Sequence, residues 1–109
     1  MTLARCKVVW TEVAARDVER IATRIAEDAP LRVERVLAKL LDRAEALATL
    51  WDRGRTPPEL RAVADRTWRE LIERPWRIVY RVVDDTVEIH AVLDGRRDLR
   101  DLLLERLLA

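Results

Sequence analysis

The chain has 109 residues, half of them hydrophobic, and carries 21 basic and 20 acidic residues for a formal net charge of +1. This length and apolar content predict one folded domain over residues 1–109 and exclude a disordered chain or a nonspecific polycation. One cysteine and one histidine exclude an internal disulfide and argue against a zinc site, and two glycines leave no phosphate-binding loop, so we expect no metal or cofactor.

The N-terminal half predicts one strand followed by two helices. The apolar run over residues 6–10 is typical of a short strand. Apolar residues then recur at helical spacing over residues 11–28 and again over residues 30–50. Because the link between them is short, we expect the two helices to pack as an antiparallel hairpin. Residues 52–58 have the composition of a loop, and residues 59–65 favour a further helical turn.

The C-terminal half predicts three strands and a last helix. Alternation with a period of two residues indicates strands over residues 76–83 and 87–93, joined by a tight turn at residues 84–85. A further strand is predicted upstream, over residues 68–73. Helical spacing returns over residues 98–108. The last three strands should therefore form an antiparallel meander.

The order β-α-α-β-β-β-α predicts a small α+β domain. We expect a largely antiparallel sheet of four strands, with the helical hairpin packed on one face and the other face exposed. No apolar run is long enough to cross a bilayer, and the N-terminus lacks the features of a signal peptide. The expected location is therefore the cytoplasm, with no membrane association.

Arginines are the candidate binding residues of the exposed sheet face. The alternation places Arg77 and Arg81 on one side of their strand, with Arg69 on the neighbouring strand. The turn after the last strand is expected to bring Arg96 and Arg97 alongside. Such a cluster predicts an anion- or target-binding site despite the near-zero net charge. The spacing alone leaves open the alternative that these are solvent-facing arginines paired with nearby carboxylates.

No residue set in the sequence combines a nucleophile with a base. Cys6 lies in an apolar strand, where a small core residue is expected rather than a reactive thiolate. His90 alternates with apolar neighbours and is expected to be structural. Tyr80 is in step with the apolar residues of its strand, which predicts a core position. We therefore assign no catalytic residue from the residues alone.

The C-terminal helix carries more leucines than one buried stripe needs. They are Leu99, Leu102, Leu103, Leu104, Leu107 and Leu108. Some of them should be exposed in the isolated chain, which predicts a surface for a protein partner. The alternative is a terminal helix that docks in a deep groove of its own domain.

Short motifs from the loop onwards carry a family resemblance. They are Gly54-Arg55 to Pro58-Glu59-Leu60, Trp68-Arg69-Glu70-Leu71, Trp76-Arg77-Ile78-Val79-Tyr80-Arg81 and Gly95-Arg96-Arg97-Asp98-Leu99. With the order of elements, they make nearly the whole chain similar to the ParE/RelE superfamily of toxins from bacterial type II toxin–antitoxin modules. The resemblance implies a growth-arresting toxin that a cognate antitoxin neutralises in a hetero-oligomer.

The superfamily holds two activities on one fold. RelE-like members cleave messenger RNA in the ribosomal A site, whereas ParE-like members poison DNA gyrase and are not nucleases. The nucleases use lysines on the second strand, an arginine on the third, an arginine at the final turn and a tyrosine near the C-terminus. The resemblance therefore implies Arg77, with Arg96 or Arg97, as their counterparts here.

The chain departs from the nuclease pattern at its proton-transfer positions. Arg69 and Glu70 stand where lysines are expected, and the tyrosine position falls near Leu103. Other nucleases use a histidine near the turn, where Asp94 stands in this chain. Since arginine stabilises charge but transfers protons poorly, the pattern favours a ParE-like gyrase inhibitor with no catalytic residue.

Two alternatives stay open. One is a RelE-like ribosome-dependent endonuclease in which Arg77 and Arg97 act on messenger RNA. The other is a non-toxic module that only binds the antitoxin. In each case we expect the antitoxin to cover the C-terminal helix, with the arginines pairing with its carboxylates. The antitoxin-binding residues expected from the leucine pattern are Leu99, Leu103, Leu104, Leu107 and Leu108.

Overall fold

A four-stranded sheet forms the centre of the computed structural model, which describes residues 5–63, 67–96 and 99–108. The strands are β1 (Lys7–Trp10), β2 (Trp68–Glu73), β3 (Trp76–Val83) and β4 (Thr86–Asp94). They lie in the order β1-β4-β3-β2. The predicted meander of β2, β3 and β4 is confirmed, but β1 runs parallel to β4. The sheet is therefore mixed rather than wholly antiparallel.

The predicted helical hairpin is also confirmed. Helix α1 (Glu12–Asp28) begins after Thr11, whose hydroxyl accepts a hydrogen bond from the Ala14 amide at 3.2 Å. Because this bond satisfies one of the free amides of the first turn, it fixes where the helix starts. A 3₁₀ turn at Pro30–Arg32 then leads into α2 (Val33–Leu50). No helix among the described residues is long and apolar enough to cross a membrane.

The sheet is covered on both faces, which corrects the expectation of one exposed face. The hairpin covers one face, over a core that includes Leu40, Leu47, Ile78, Tyr80 and Ile89. The opposite face is covered by a 3₁₀ segment (Pro58–Val63) and by helix α3 (Arg100–Leu108). The second core contains Leu60, Trp68, Val79, Ala91, Leu99 and Leu103. Burial of the apolar residues on this face provides the physical reason for the extra layer.

The second half of β4 pairs with β3 on one side but has no strand on the other, because β1 pairs only with Thr86 to Ile89. Two side chains satisfy its backbone instead. The Asp17 carboxylate accepts a hydrogen bond from the Val92 amide at 3.0 Å, and the Arg106 guanidinium donates to the His90 carbonyl at 3.2 Å. These bonds attach α1 and α3 to the same strand and cap polar groups that would otherwise lie unpaired.

Candidate functional site

Arg77 lies at the centre of a buried ion-pair network. Its side chain projects from β3 beneath the Pro58–Val63 segment, and the residue is only 5% exposed. The guanidinium donates to Glu70 at 2.7 Å through Nε, and through Nη1 and Nη2 it donates two bonds of 2.6 Å to Glu59. Glu70 also accepts a bond from Arg55 Nε at 2.9 Å. Two carboxylates therefore bind the Arg77 guanidinium through Nε, Nη1 and Nη2.

The contact between Arg77 and Glu59 favours the charged form of both groups. The hydrogen bonds from Arg77 lower the pKa of Glu59 to about 2, although burial acts in the opposite direction. The same contact with Glu59 raises the pKa of Arg77, with Glu70 adding to the effect. Neither group can exchange a proton near neutral pH. The pair is therefore an electrostatic and structural unit rather than an acid–base pair.

Strand register and one glycine explain how this network assembles. Ile72 pairs with Arg77 and Glu70 with Val79, so the Glu70 and Arg77 side chains share one face of the sheet. Gly95 leaves room for the Arg77 side chain to pass, because a Cβ atom at position 95 would stand 2.7 Å from Arg77 Cγ. Glu59 also accepts a bond from the Leu99 amide at 3.4 Å, which ties the network to the start of α3.

A cleft of about 600 Å³ opens beside Arg77. Its charged lining residues are Arg55, Glu59, Arg74, Arg77 and Arg96. Of the arginines predicted to form an anion site, the structure thus brings together Arg77 and Arg96. Arg55 and Arg74 were missed, because nothing in the local pattern indicates that residues 54–55 return to β2. The signal is the non-local pairing of Arg55 with Glu70.

The remaining predicted arginines do not join this cleft. Arg69 shares the opposite, hairpin-facing side with Tyr80, where its guanidinium donates to the carbonyls of Asp52 and Gly54 at 3.0 and 3.1 Å. Arg81 pairs with Glu88 at 2.6 Å and lies over the Trp68 ring. Arg96 forms an ion pair with Asp94 at 2.7 Å, and Arg97 lies outside the described residues.

The convergence of all five arginines on one face is therefore wrong. The alternation of β2 sends Arg69 to the other side of the sheet, and carboxylates neutralise Arg77, Arg81 and Arg96. The second core also occupies much of the face on which the site was expected.

The leucines of α3 are more buried than expected. Leu99 and Leu103 belong to the second core, and Leu104 and Leu107 are half-buried against it. Leu102 is the exposed member, at 38%. The side chain of Leu108 lies outside the description. The expectation of a wide exposed apolar surface is therefore wrong. Only a narrow apolar surface remains, because the helix packs on Val79 and Ala91 of its own sheet.

The residues expected to be structural lie in structural surroundings. Tyr80 is buried, donates to the Trp51 carbonyl at 2.9 Å and accepts from the Gly54 amide at 3.0 Å. Burial raises the pKa of Tyr80 and of Cys6. His90 packs edge-on against Trp68 and lies 3.1 Å from Glu88. Within residues 5–63, 67–96 and 99–108, no group of His, Cys, Asp and Glu could hold a metal ion.

Comparison with known proteins identifies the family. Residues 8–99 match the family model for the ParE toxin of the type II toxin–antitoxin system parDE. The chain belongs to the ParE/RelE family of type II toxins. It is also 36% identical over 92 residues to Toxin RelE2 of Caulobacter vibrioides, and the match covers 84% of this chain and 97% of that protein. The predicted superfamily is confirmed.

Solved structures support the same fold. A chain from the chromosomal ParDE toxin–antitoxin system of P. aeruginosa superimposes with a TM-score of 0.69 at 19% identity, covering 84% of this chain and 97% of its own length. A chain from the RelBE2 toxin–antitoxin complex of Mycobacterium tuberculosis gives 0.59 at 22% identity, covering 85% and 94%. The ParE/RelE toxin therefore shares the α+β fold of both.

Proposed function

We propose that this toxin acts as a ParE-like inhibitor that binds DNA gyrase without cleaving RNA, and that a cognate antitoxin neutralises it. The state of Arg77 carries the proposal. In a nuclease, the corresponding arginine must be free to meet the charge that develops on the scissile phosphate. Here Arg77 is only 5% exposed, and two carboxylates bind its guanidinium.

The surroundings of Arg77 supply no proton-transfer group. Cleavage of RNA requires activation of a 2′-hydroxyl and protonation of the leaving 5′-oxygen. The cleft contributes guanidinium groups, which stay protonated at neutral pH, and Glu59, whose pKa of about 2 makes it a very weak base. At the position that resembles the catalytic tyrosine stands Leu103, fully buried in the second core. These observations favour inhibition by binding.

A RelE-like endonuclease is the second candidate, favoured by the relative named Toxin RelE2 and by the likeness to the RelBE2 complex. In that case Arg77 and Arg97 would meet the phosphate. Arg77 would first have to break its ion pairs with Glu59 and Glu70. The endonuclease therefore requires a structural change that the gyrase inhibitor does not. A non-toxic antitoxin-binding module is the third, and absence of growth arrest on expression would identify it.

Controlled expression in a bacterial host tests the proposal. We expect growth arrest with induction of the DNA-damage response and no codon-dependent cleavage of messenger RNA in the ribosomal A site. Purified toxin should also increase the DNA breaks that gyrase leaves in a supercoiling reaction, and programmed ribosomes treated with the same preparation provide the matched control. Cleavage in the A site without gyrase-dependent breaks would replace the proposal by the endonuclease.

The antitoxin is proposed to bind along α3 and the neighbouring groove. That groove has a volume of about 240 Å³ and runs between α1 and α3 beside the free part of β4. Its apolar lining residues are Ile21, Trp76, Val92, Leu93, Leu99 and Leu102. Covering such surface gains roughly 25 cal/mol per Å², and both structural neighbours come from toxin–antitoxin systems.

A matched pair of variants tests this surface. Leu102→Glu places a charge at the exposed leucine of α3, whereas Leu31→Glu places it at a leucine that is 96% exposed in the Pro30–Arg32 turn. We expect the antitoxin from the adjacent reading frame to bind the first variant at least tenfold more weakly and the second normally. We expect Leu104→Glu to weaken binding of the antitoxin as Leu102→Glu does. Equal affinity of all variants, with unchanged melting temperatures, would remove α3 from the interface.

A further inference from the structure

A group of cations lies near Trp76 on the hairpin side of the β2–β3 turn. They line a groove of about 510 Å³ between α2 and the turn. Its charged residues are Arg32, Arg35, Lys39, Arg74 and Arg96, with Asp28 and Glu73. A smaller concavity beside it adds Arg24 to the residues around Trp76. This basic groove, defined by Arg32, Arg35, Lys39 and Arg74, adjoins the Arg77 cleft, with which it shares Arg74, Trp76 and Arg96, but its lining does not include Glu59, Glu70 or Arg77.

The cations of the basic groove are not neutralised by the protein. Among the described residues, the side chains of Arg32, Arg35, Lys39 and Arg74 make no hydrogen bond or ion pair. The acidic Glu73 is engaged by Arg43 at 3.5 Å. Arg55, Arg77, Arg81 and Arg106, in contrast, each have a carboxylate partner. The basic groove therefore concentrates cations that the protein leaves without one.

The spacing of these cations opposes folding stability. Arg35 and Lys39 are four residues apart on α2, so like charges lie one turn apart and repel each other. Arg32 continues the same row into the preceding 3₁₀ turn, and Arg74 faces it from the β2–β3 turn across the groove. Four cations without partners outnumber the two lining carboxylates, Asp28 and Glu73, so an anion in the groove would relieve the remaining repulsion.

The lining indicates which kind of anion fits. Protein–protein interfaces are enriched in arginine but depleted of lysine, and their centres hold few charged residues, whereas nucleic-acid interfaces are much more positively charged as a whole. The row from Arg32 to Lys39 spans roughly 10 Å along the helix axis, and one strand of a duplex carries a phosphate for about every 3.4 Å of the duplex axis, so the row can meet more than one phosphate. The half-buried Trp76 adds an aromatic surface beside the cations.

We propose that the basic groove binds the phosphate backbone of a nucleic acid without reading its sequence. This binding site goes beyond the proposed gyrase inhibition and does not depend on which cellular target is correct. It lies along α2 rather than over Arg77, and it differs in chemistry from the Arg77 cleft, since no bond of the nucleic acid is broken and no proton is moved. Phosphate contacts of this kind supply position and on-rate rather than specificity.

The test compares two triple variants of the full chain by fluorescence anisotropy with a labelled DNA duplex of arbitrary sequence. The groove variant removes three exposed cations of the basic groove: Arg32→Gln, Arg35→Gln and Lys39→Gln. The control removes three exposed arginines outside it that also make no ion pair among the described residues: Arg5→Gln, Arg53→Gln and Arg61→Gln. Both variants have the same net charge, and their unaltered melting temperature is verified first.

We expect the groove variant to bind at least tenfold more weakly than the unaltered chain, and the control to stay within about twofold. The slope of log K against log salt should fall by about 0.9 for each phosphate that the protein no longer neutralises, and only in the groove variant. A single-stranded RNA probe of the same phosphate count distinguishes the two sources of phosphate. Equal losses of affinity in both variants, no binding at low salt, or tighter binding of poly-glutamate than of either nucleic acid would overturn the proposal.

Discussion

A buried guanidinium between two carboxylates depends strongly on its partners. Removal of one member of a buried ion pair leaves a charge without compensation, which typically costs about 3–5 kcal/mol. We therefore expect Arg77→Met to lower the free energy of unfolding by about this amount, because Glu70 is 1% exposed and Glu59 loses both of its bonds from Arg77. Urea unfolding measures the effect.

Arg81→Met is the matched control for that substitution. Arg81 lies on the same face of β3 and also pairs with a carboxylate, but its side chain is 37% exposed. Surface pairs contribute at most about 1 kcal/mol, so the control should lose much less stability than Arg77→Met. Similar losses in the two variants would mean that Arg55 alone satisfies Glu70 and that the buried network is not held by Arg77.

The carboxylate of Glu59 gives the network a predictable pH dependence. Its pKa falls from an ordinary value of 4.5 to about 2 in the folded state, so its stabilising contribution is present above pH 4.5 and is lost as the pH falls towards 2. Over that interval, we expect the unaltered chain to lose about 2 kcal/mol more than Glu59→Gln. Denaturant midpoints at closely spaced pH values measure the difference, and parallel curves would contradict it.

Local chemistry reveals the roles of some residues and conceals those of others. The apolar settings of Cys6 and Tyr80 are visible in the alternation of their strands, and both residues are buried. The burial of Arg77 could not be predicted in the same way, because its partner Glu59 lies 18 residues earlier, in the Pro58–Val63 segment. An arginine in a strand has the same local pattern whether it meets water or a distant carboxylate.

At the scale of elements, α3 is held by the side of the helix that faces the sheet. Leu103 is fully buried and Leu102, one residue earlier, is 38% exposed. We expect Leu103→Ala to cost about 2–5 kcal/mol, since it leaves a cavity against Val79 and Ala91. Leu102→Ala should change stability by no more than about 0.5 kcal/mol. Comparable costs in thermal unfolding would contradict the observed docking of the helix.

The ends of the strands can be predicted from neighbouring residues in the sequence. Which elements cover each face of the sheet cannot be predicted in this way. The turn at Asp84, with its positive φ of 55°, and the period of two residues indicate β3 and β4 to within a residue. The cover over the second face of the sheet was not predicted. On that face of β3, Val79 stands between Arg77 and Arg81, and such charged residues are typical of a strand face exposed to solvent. Only the non-local partners of those arginines make the face compatible with a core.

At the scale of the whole molecule, Asp17 joins the layers on the two sides of the sheet. The residue belongs to α1, its carboxylate accepts the Val92 amide of β4, and it pairs with Arg106 of α3 at 3.1 Å. The side chain of Asp17 is 4% exposed and that of Arg106 is 16% exposed, so water screens this pair poorly. The connection passes around the edge of β4 that β1 leaves free.

A double-mutant cycle measures this connection. For Asp17→Asn with Arg106→Gln we expect a coupling of about 1–3 kcal/mol, because the two groups share a buried network with the strand backbone. The matched cycle replaces Arg106→Gln by Arg20→Gln, whose side chain is 74% exposed and which pairs with the same carboxylate at 3.2 Å. Its coupling should stay below about 0.5 kcal/mol, as for other exposed helix pairs. Faster hydrogen exchange of the Val92 amide should accompany Asp17→Asn but not Arg20→Gln. If both cycles gave the same coupling, α3 would be held by its leucines alone, and the bond across the strand edge would not contribute to joining the layers.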